Sequence, residues 1–134
     1  MKTLTIVSED KVGLLADISY VLSKSKINIE SVNVEVVAGK AIITLSLSDA
    51  EKGKSVLESA NYKVEAVNAV IVKLTDQPGE LSKITALLSK EGININNAQT
   101  LSRDGSATVL SLSVDKPKRA TTLLKEFLIN TDTY

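Results

Sequence analysis

The chain has no cysteine, no histidine and no tryptophan, and its one phenylalanine is Phe127. Without cysteine there is no disulfide framework, thiol nucleophile or CxxC metal loop. Without histidine the commonest general base and metal ligand is missing. Lys+Arg and Asp+Glu balance at 16 each, so no net field draws the chain to nucleic acid or to an anionic membrane. The longest apolar runs fall far short of the ~20 residues that a bilayer span requires. Met1-Lys2-Thr3 leads directly into an alternating pattern, not into the apolar stretch of a signal peptide. The expectation is a cytoplasmic chain with no cofactor, no metal, no nucleic-acid partner and no membrane partner.

What the chain does contain, it contains twice. Residues 10–30, DKVGLLADISYVLSKSKINIE, align without a gap on residues 76–96, DQPGELSKITALLSKEGININ, at an offset of 66, with ten of 21 positions identical. A period of half the chain predicts two copies of one small domain, placed at 1–67 and 68–134. Units of that size bury a limited share of their surface and are marginal alone. Each copy should lean on the other or on a second chain.

The spacing of apolar residues orders the elements. Thr3–Val7 reads as a strand, and Val12–Lys24 as a helix with Leu14, Leu15, Ile18, Val21 and Leu22 on one stripe. Ile27–Val37 and Lys40–Ser48 are alternating and β-branched, joined at Ala38-Gly39 as a tight hairpin. Asp49 suits the N-cap of a helix reaching about Ser59, and Asn61-Tyr62 reopens a strand. The second copy repeats this: strand Val70–Thr75, then helix Gly79–Lys90 with Leu81, Ile84, Leu87 and Leu88 inward. Strands Ile93–Ser102 and Ser106–Val114 close at Asp104-Gly105. Asp115-Lys116-Pro117 caps a last helix carrying Ala120, Leu123, Leu124, Phe127 and Leu128, and Ile129–Tyr134 has room for a final strand.

Past the second hairpin the copies stay in phase only at an offset of 67. Ile43, Leu45 and Leu47 then face Leu110, Leu112 and Val114, because a one-residue slip would turn core side chains outward. One extra residue is expected at that hairpin as loop variation. There is no Gly/Ser/Pro linker between Tyr62 and Thr75, so the copies should sit rigidly together, crossing near Asn68.

The order βαββαβ, twice, predicts an α+β chain of two ferredoxin-like units, each an antiparallel four-stranded sheet with both helices on one face. That fold hosts many functions, so a site must decide among them. RNA-binding relatives stack bases on aromatic residues of the central strands. Those strands here carry Val, Leu, Thr and Ser, which argues against that reading. Metal-carrying versions use a CxxC loop, and the chain has none.

The turn before each long helix is more telling. Asp76-Gln77-Pro78-Gly79-Glu80-Leu81, followed after the helix by Glu91-Gly92-Ile93-Asn94-Ile95, closely resembles the ACT domain family, whose pattern runs roughly D-x-P-G-x-L, helix, G-[IV]-N-I. Its twin, Asp10-Lys11-Val12-Gly13-Leu14-Leu15 with Ile27-Asn28-Ile29, has Val12 in place of proline and Lys26 in place of glycine. The resemblance spans the whole chain. It implies a free-standing tandem ACT protein: a regulatory, allosteric module that binds a small ligand, mostly an amino acid, at the interface between paired domains. It also implies a homodimer, with an enzyme of amino-acid metabolism as a further partner. The two sheets are expected to join edge to edge into one eight-stranded sheet, through the strand carrying Val32, Val34 and Val36, since exposed edges invite pairing. The candidate ligand-binding residues are then Asp10, Val12, Gly13, Leu14, Asn28 and Ile29 in the first copy. In the second they are Asp76, Pro78, Gly79, Glu80, Leu81, Asn94 and Ile95.

Elementary chemistry points at part of the same set. A helix start presents unpaired N–H groups and partial positive charge, suited to an α-carboxylate. Gly13 and Gly79 let a ligand approach the backbone. Asn28 and Asn94 offer an acceptor and donors, and Asp10 and Asp76 can accept from an ammonium. Each has a plainer role as well: Asp10 and Asp76 as turn formers or caps, the glycines as aids to helix–sheet packing, the asparagines as residues closing a helix. Glu80 favours the helix dipole and would repel a nearby carboxylate. Lys116, Lys118, Arg119 and Lys125 read as a solvated basic face. Two further functions compete with an amino-acid-binding regulator. One is an adaptor acting on a partner enzyme through domain pairing. The other is an enzyme, for which the sequence assembles no nucleophile–base pair, phosphate loop or metal cluster.

Overall fold

A computed structural model describes residues 2–129. The first copy comprises β1 (Thr3–Glu9), α1 (Leu14–Lys24), β2 (Ile29–Val37), β3 (Lys40–Leu47), α2 (Ala50–Ser59) and β4 (Lys63–Val64). The second comprises β5 (Val70–Thr75), α3 (Glu80–Lys90), β6 (Ile95–Arg103), β7 (Ala107–Val114) and α4 (Pro117–Leu123), followed by a 3₁₀ turn at Lys125–Phe127. The order is that expected from the periodicities.

Local chemistry explains the boundaries. Asp49 caps α2, its Oδ1 accepting from Lys52 N at 3.1 Å. Ala38 and Gly39 both have positive φ, 51° and 79°, the geometry a two-residue hairpin needs to match strand twist. Asp104 Oδ1 accepts from the amides of Ser106 and Ala107 and closes the other hairpin; these donors hold its carboxyl below the ordinary range. Helices α1 and α3 end alike. Ile27 N donates to Leu22 O and Lys26 N to Ser23 O, as Ile93 N does to Leu88 O and Gly92 N to Ser89 O. This is a Schellman closure, whose left-handed residue is Gly92 (φ 72°) in one copy and Lys26 (φ 60°) in the other. The asparagines therefore lie beyond the helix closure, just before the strand. At α4 the cap is Lys116, with no side-chain bond. Asp115 instead accepts from Asn94 N.

Each copy has its own core between sheet and helices. The first gathers Leu4, Ile6, Ile18, Leu22, Ile43, Leu45 and Leu57, and the second Val70, Val72, Ile84, Leu88, Leu112 and Leu124. Leu15, Leu81 and Leu87, expected inside, are 38%, 50% and 38% exposed. Each sits one position off the stripe that the sheet covers, so the buried stripe is narrower than the apolar one.

The sheets run β2-β3-β1-β4 and β5-β7-β6, antiparallel throughout. Of the fourth strand expected in the second sheet, the described residues show only an isolated bridge from Leu128 to Val72 and the bond from Ile129 N to Ile71 O at 2.9 Å. The rest of that segment lies outside the described residues.

Edge-to-edge joining of the two sheets is not what the described residues show. No strand of one sheet pairs with a strand of the other. The sheets instead cover each other face to face. A third apolar cluster unites Val7, Val37 and Ile42 of the first copy with Ala69, Ile71, Leu101, Val109 and Ile129 of the second. The face opposite the helices was thus available for burial, and Thr3, Thr5, Thr44 and Ser46 on it are at most 2% exposed. Polar bonds also cross the seam: Ser102 Oγ donates to Val37 O and Asn33 Nδ2 to Ile129 O, both at 3.2 Å. The crossing point is tight as expected. Asn68, at φ 62°, accepts from Thr3 N through Oδ1 and donates its own amide to Thr3 O.

The extra residue is not in the hairpin loop. Strand β6 pairs Thr100 with Leu110 and then Ser102 with Val109, skipping Leu101, whereas β2 pairs Val34 with Ile43 and Glu35 with Ile42 without a gap. Leu101 is therefore a β-bulge residue. Its side chain, 7% exposed, enters the intersheet cluster.

Candidate functional site

The turns before α1 and α3 have one geometry. Gly13 (φ 85°) and Gly79 (φ 90°) occupy the N-cap positions in the left-handed region, and neither helix has a side-chain cap. A Cβ at either glycine would meet nothing within 4 Å. The glycine is required by φ and not by helix–sheet packing. Leu14 N and Glu80 N donate back into their turns at 3.3 Å, to Lys11 O and Gln77 O. The next amides, of Leu15 and Ala16 and of Leu81 and Ser82, belong to the first turn and have no intrahelical acceptor. Asp10 and Asp76 are not caps. Asp76 Oδ2 is paired with Arg103 Nε at 2.8 Å, which raises the guanidinium's already high pKa. Glu80 pairs with Lys83 at 2.8 Å and holds that ammonium above its ordinary pKa. Asp10 is exposed and forms no ion pair among the described residues. Val12 is fully exposed, Pro78 and Leu81 are exposed, and Leu14 is buried in the core.

Asn28 and Asn94 immediately precede β2 and β6. Their backbones are fixed by the loop after the second hairpin strand: Asn28 N donates to Ser48 Oγ and Asn94 N to Asp115 Oδ1, both at 3.0 Å. Both side chains are exposed, and Asn94 Nδ2 donates to Asn96 Oδ1 at 2.8 Å. Each asparagine lines an open pocket. One, of about 390 Å³, is lined by Ser19, Ser23, Lys26, Ile27, Asn28 and Ile29. The other, of about 430 Å³, is lined by Thr85, Ser89, Gly92, Ile93, Asn94 and Ile95. The two sets correspond one to one at the offset of 66. Neither pocket is lined by a turn residue, so within one copy the glycine turn and the asparagine are separate surfaces. The hydroxyls of Ser19, Ser23, Thr85 and Ser89 are the lining groups that the sequence reading passed over. Their signal was in the repeat: a hydroxyl kept at two positions one helical turn apart.

Two matches to known sequence families decide what this duplication is. Residues 2–61 match the ACT domain, and residues 68–127 match it again. The chain belongs to the ACT domain family. This tandem ACT chain has no match among curated proteins. Among solved structures it is similar to a protein from Bacteroides thetaiotaomicron, at 25% identity and TM-score 0.48, over 97% of this chain and 92% of that one. It is similar also to the ligand-free regulatory subunit of aspartate kinase from Thermus thermophilus, at 12% identity and TM-score 0.43, over 93% and 91%. A third likeness is to the small subunit of acetolactate synthase from Thermotoga maritima, at 12% identity and TM-score 0.42, over 95% and 88%.

A more voluminous concavity of the tandem ACT chain, about 810 Å³, lies elsewhere, along Lys2, Asn68, Glu91 and the start of α4. Three of its cations are engaged: Arg119 pairs with Glu91, Lys116 Nζ donates to Gly92 O, and Lys2 faces Glu51 at 3.8 Å. Lys118 also lines it, without an ion pair among the described residues. The twin pockets, repeated in both domains, remain the better candidates. Among the described residues no helix is long and apolar enough to cross a membrane, and no group of metal-ligating side chains is assembled.

Proposed function

We propose that the tandem ACT protein, with domains at 1–67 and 68–134, is a non-catalytic cytoplasmic regulator. It binds one free amino acid between ACT domains of two paired chains. The supporting observation is the twinned geometry: each domain carries an uncapped, glycine-started helix and, apart from it, an asparagine-lined pocket. In this reading the turn of one chain, residues 10–14 or 76–81, seats the α-carboxylate against the free amides of the helix start, those of Leu15 and Ala16 or Leu81 and Ser82. Asn28 and Ile29, or Asn94 and Ile95, of the paired domain hold the ammonium and the start of the side chain.

Face-to-face packing within the chain leaves both β2 and β6 at sheet edges, free to pair with another chain. On β2 Val32, Val34 and Val36 are 46%, 47% and 52% exposed, an apolar edge of the kind that draws a partner strand. A homodimer formed there would complete the sites, and ligand affinity that differs between free and paired chains would shift assembly. The same edge would let a partner enzyme's ACT domain replace the second copy.

A thermal-shift screen against the twenty protein amino acids tests the reading. A ligand at ~100 times its Kd stabilises the native state by about 2.7 kcal/mol. Asn28→Ala and Asn94→Ala should weaken its binding by about 1–3 kcal/mol. A flat screen, or affinity unchanged in the double variant, would exclude these sites.

A further inference from the structure

The seam between the two sheets has two unlike ends. At one end it is filled by apolar side chains, Ile129 among them. At the other it holds a cavity of about 210 Å³ lined by Lys63, Glu65, Asn97, Gln99, Ser111 and Ser113, room for about seven water molecules. Strand register shows why these six share one space. Lys63 pairs with Val7, whose side chain lies in the seam. Asn97 and Gln99 pair with Ser113 and Ser111, four and two residues beyond Val109 of the same face.

The two ends are internal twins. Glu65 N donates to Thr5 O as Ile129 N donates to Ile71 O, and Thr5 and Ile71 are 66 apart. Glu65 thus occupies the place that an isoleucine fills at the other end. Gln99 is likewise the twin of Asn33, which bonds to Ile129 O. Packing alone would be met by an apolar residue at 65. Yet Glu65 is only 7% exposed, and it forms no ion pair among the described residues. Its carboxylate lines the cavity and is not among the fully buried side-chain atoms without a partner, so the cavity is where it meets water or a ligand.

We infer that this end of the seam is a second ligand site, independent of the paired-domain site, for a small compound bearing a primary ammonium group. The ammonium sits on the Glu65 carboxylate. The amides of Asn97 and Gln99 and the hydroxyls of Ser111 and Ser113 satisfy its polar remainder. Lys63, exposed at the rim, receives a carboxylate where the ligand has one. Because the lining comes from both domains of one chain, occupancy would brace the seam without any second chain.

The test is an amide NMR titration of the full chain with each of the twenty protein amino acids, and with ethanolamine as a carboxylate-free probe. At least one of these should move the amides of Asn97, Gln99, Ser111 and Ser113. Glu65→Gln should then weaken that binding about tenfold or more, as loss of a charge-assisted bond does. Gln99→Ala, at an exposed edge, should weaken it less and leaves the fold untouched. Movement confined to residues around Asn28 and Asn94 would support the paired-domain site and overturn this one. No response of the four amides to any probe, or undiminished binding in a folded Glu65→Gln chain, would overturn it as well.

Discussion

Arg103 Nε sits 2.8 Å from Asp76 Oδ2, and among the described residues the first domain has no such pair. Across the bulge the counterpart of Arg103 is Val36, so Asp10 has no guanidinium to hold it. The second turn is tied to its hairpin and the first is not. Arg103→Val should make the second turn behave like the first. Amide exchange over residues 77–81 should rise, while the melting temperature barely moves, because exposed ion pairs contribute little. Raising the salt concentration should have the same effect on the unmodified chain. Unchanged exchange would mean that the glycine geometry alone sets the turn.

Tyr62, just past α2, donates its hydroxyl to the Asp17 carboxylate on α1. Burial first, then that bond and the charge of Asp17, push its pKa from 10.0 up to about 12. A raised folded pKa means that the folded chain holds this proton more tightly than the unfolded one. Its contribution to stability is therefore full below pH 10 and is lost as pH rises from about 10 to about 12. Tyr62→Phe should remove the phenol that titrates near 12 from an ultraviolet titration and flatten the fall in stability over that window. A phenol of ordinary pKa at this position would disprove the coupling.

Lys26 closes α1 in the left-handed region at φ 60°, where α3 uses Gly92. A non-glycine residue there costs roughly 1–2 kcal/mol. Lys26→Gly should raise stability by about 1 kcal/mol, less than the strain because glycine also loosens the unfolded chain. Denaturant titration reads this directly. A loss of stability would show that the lysine side chain makes up for its backbone.

The bulge residue Leu101 is 7% exposed and packs between the sheets. Leu101→Ala should cost about 2–5 kcal/mol by leaving a cavity there. Because both cores are otherwise intact, the damage should appear first as faster exchange of seam amides such as Ile71 and Val109. Equal loosening of all three clusters would contradict a separable seam.

Val34 on the β2 edge is 47% exposed. Val34→Lys places a charge where a second strand would pair, a device that natural edges use to stay single. Sedimentation should show a dimer for the unmodified chain and a monomer for the variant, with melting unchanged at low concentration. A monomer in both would remove β2 as the pairing edge.

Much of this protein was legible from residue order, because the rules involved are short-ranged. Leu14, Ile18 and Leu22 at helical spacing, Ala38-Gly39 as a hairpin, Asp49 as a cap and the two glycine starts each depend on a few neighbouring residues and their φ angles. The repeat then doubled every such signal and disclosed the family. Tertiary structure alone decided how the halves meet. Thr3, Thr5, Thr44 and Ser46 alternate with apolar residues, and the opposite sheet buries them as well. The extra residue of the second copy, expected in the hairpin loop, is Leu101 of β6, a wedge in the seam. Glu65 carried no sequence signal at all and is a buried carboxylate beside a cavity. Contact between sheets whose equivalent strands lie 66 residues apart is set by the fit of whole surfaces, which leaves no mark in the local pattern of either one.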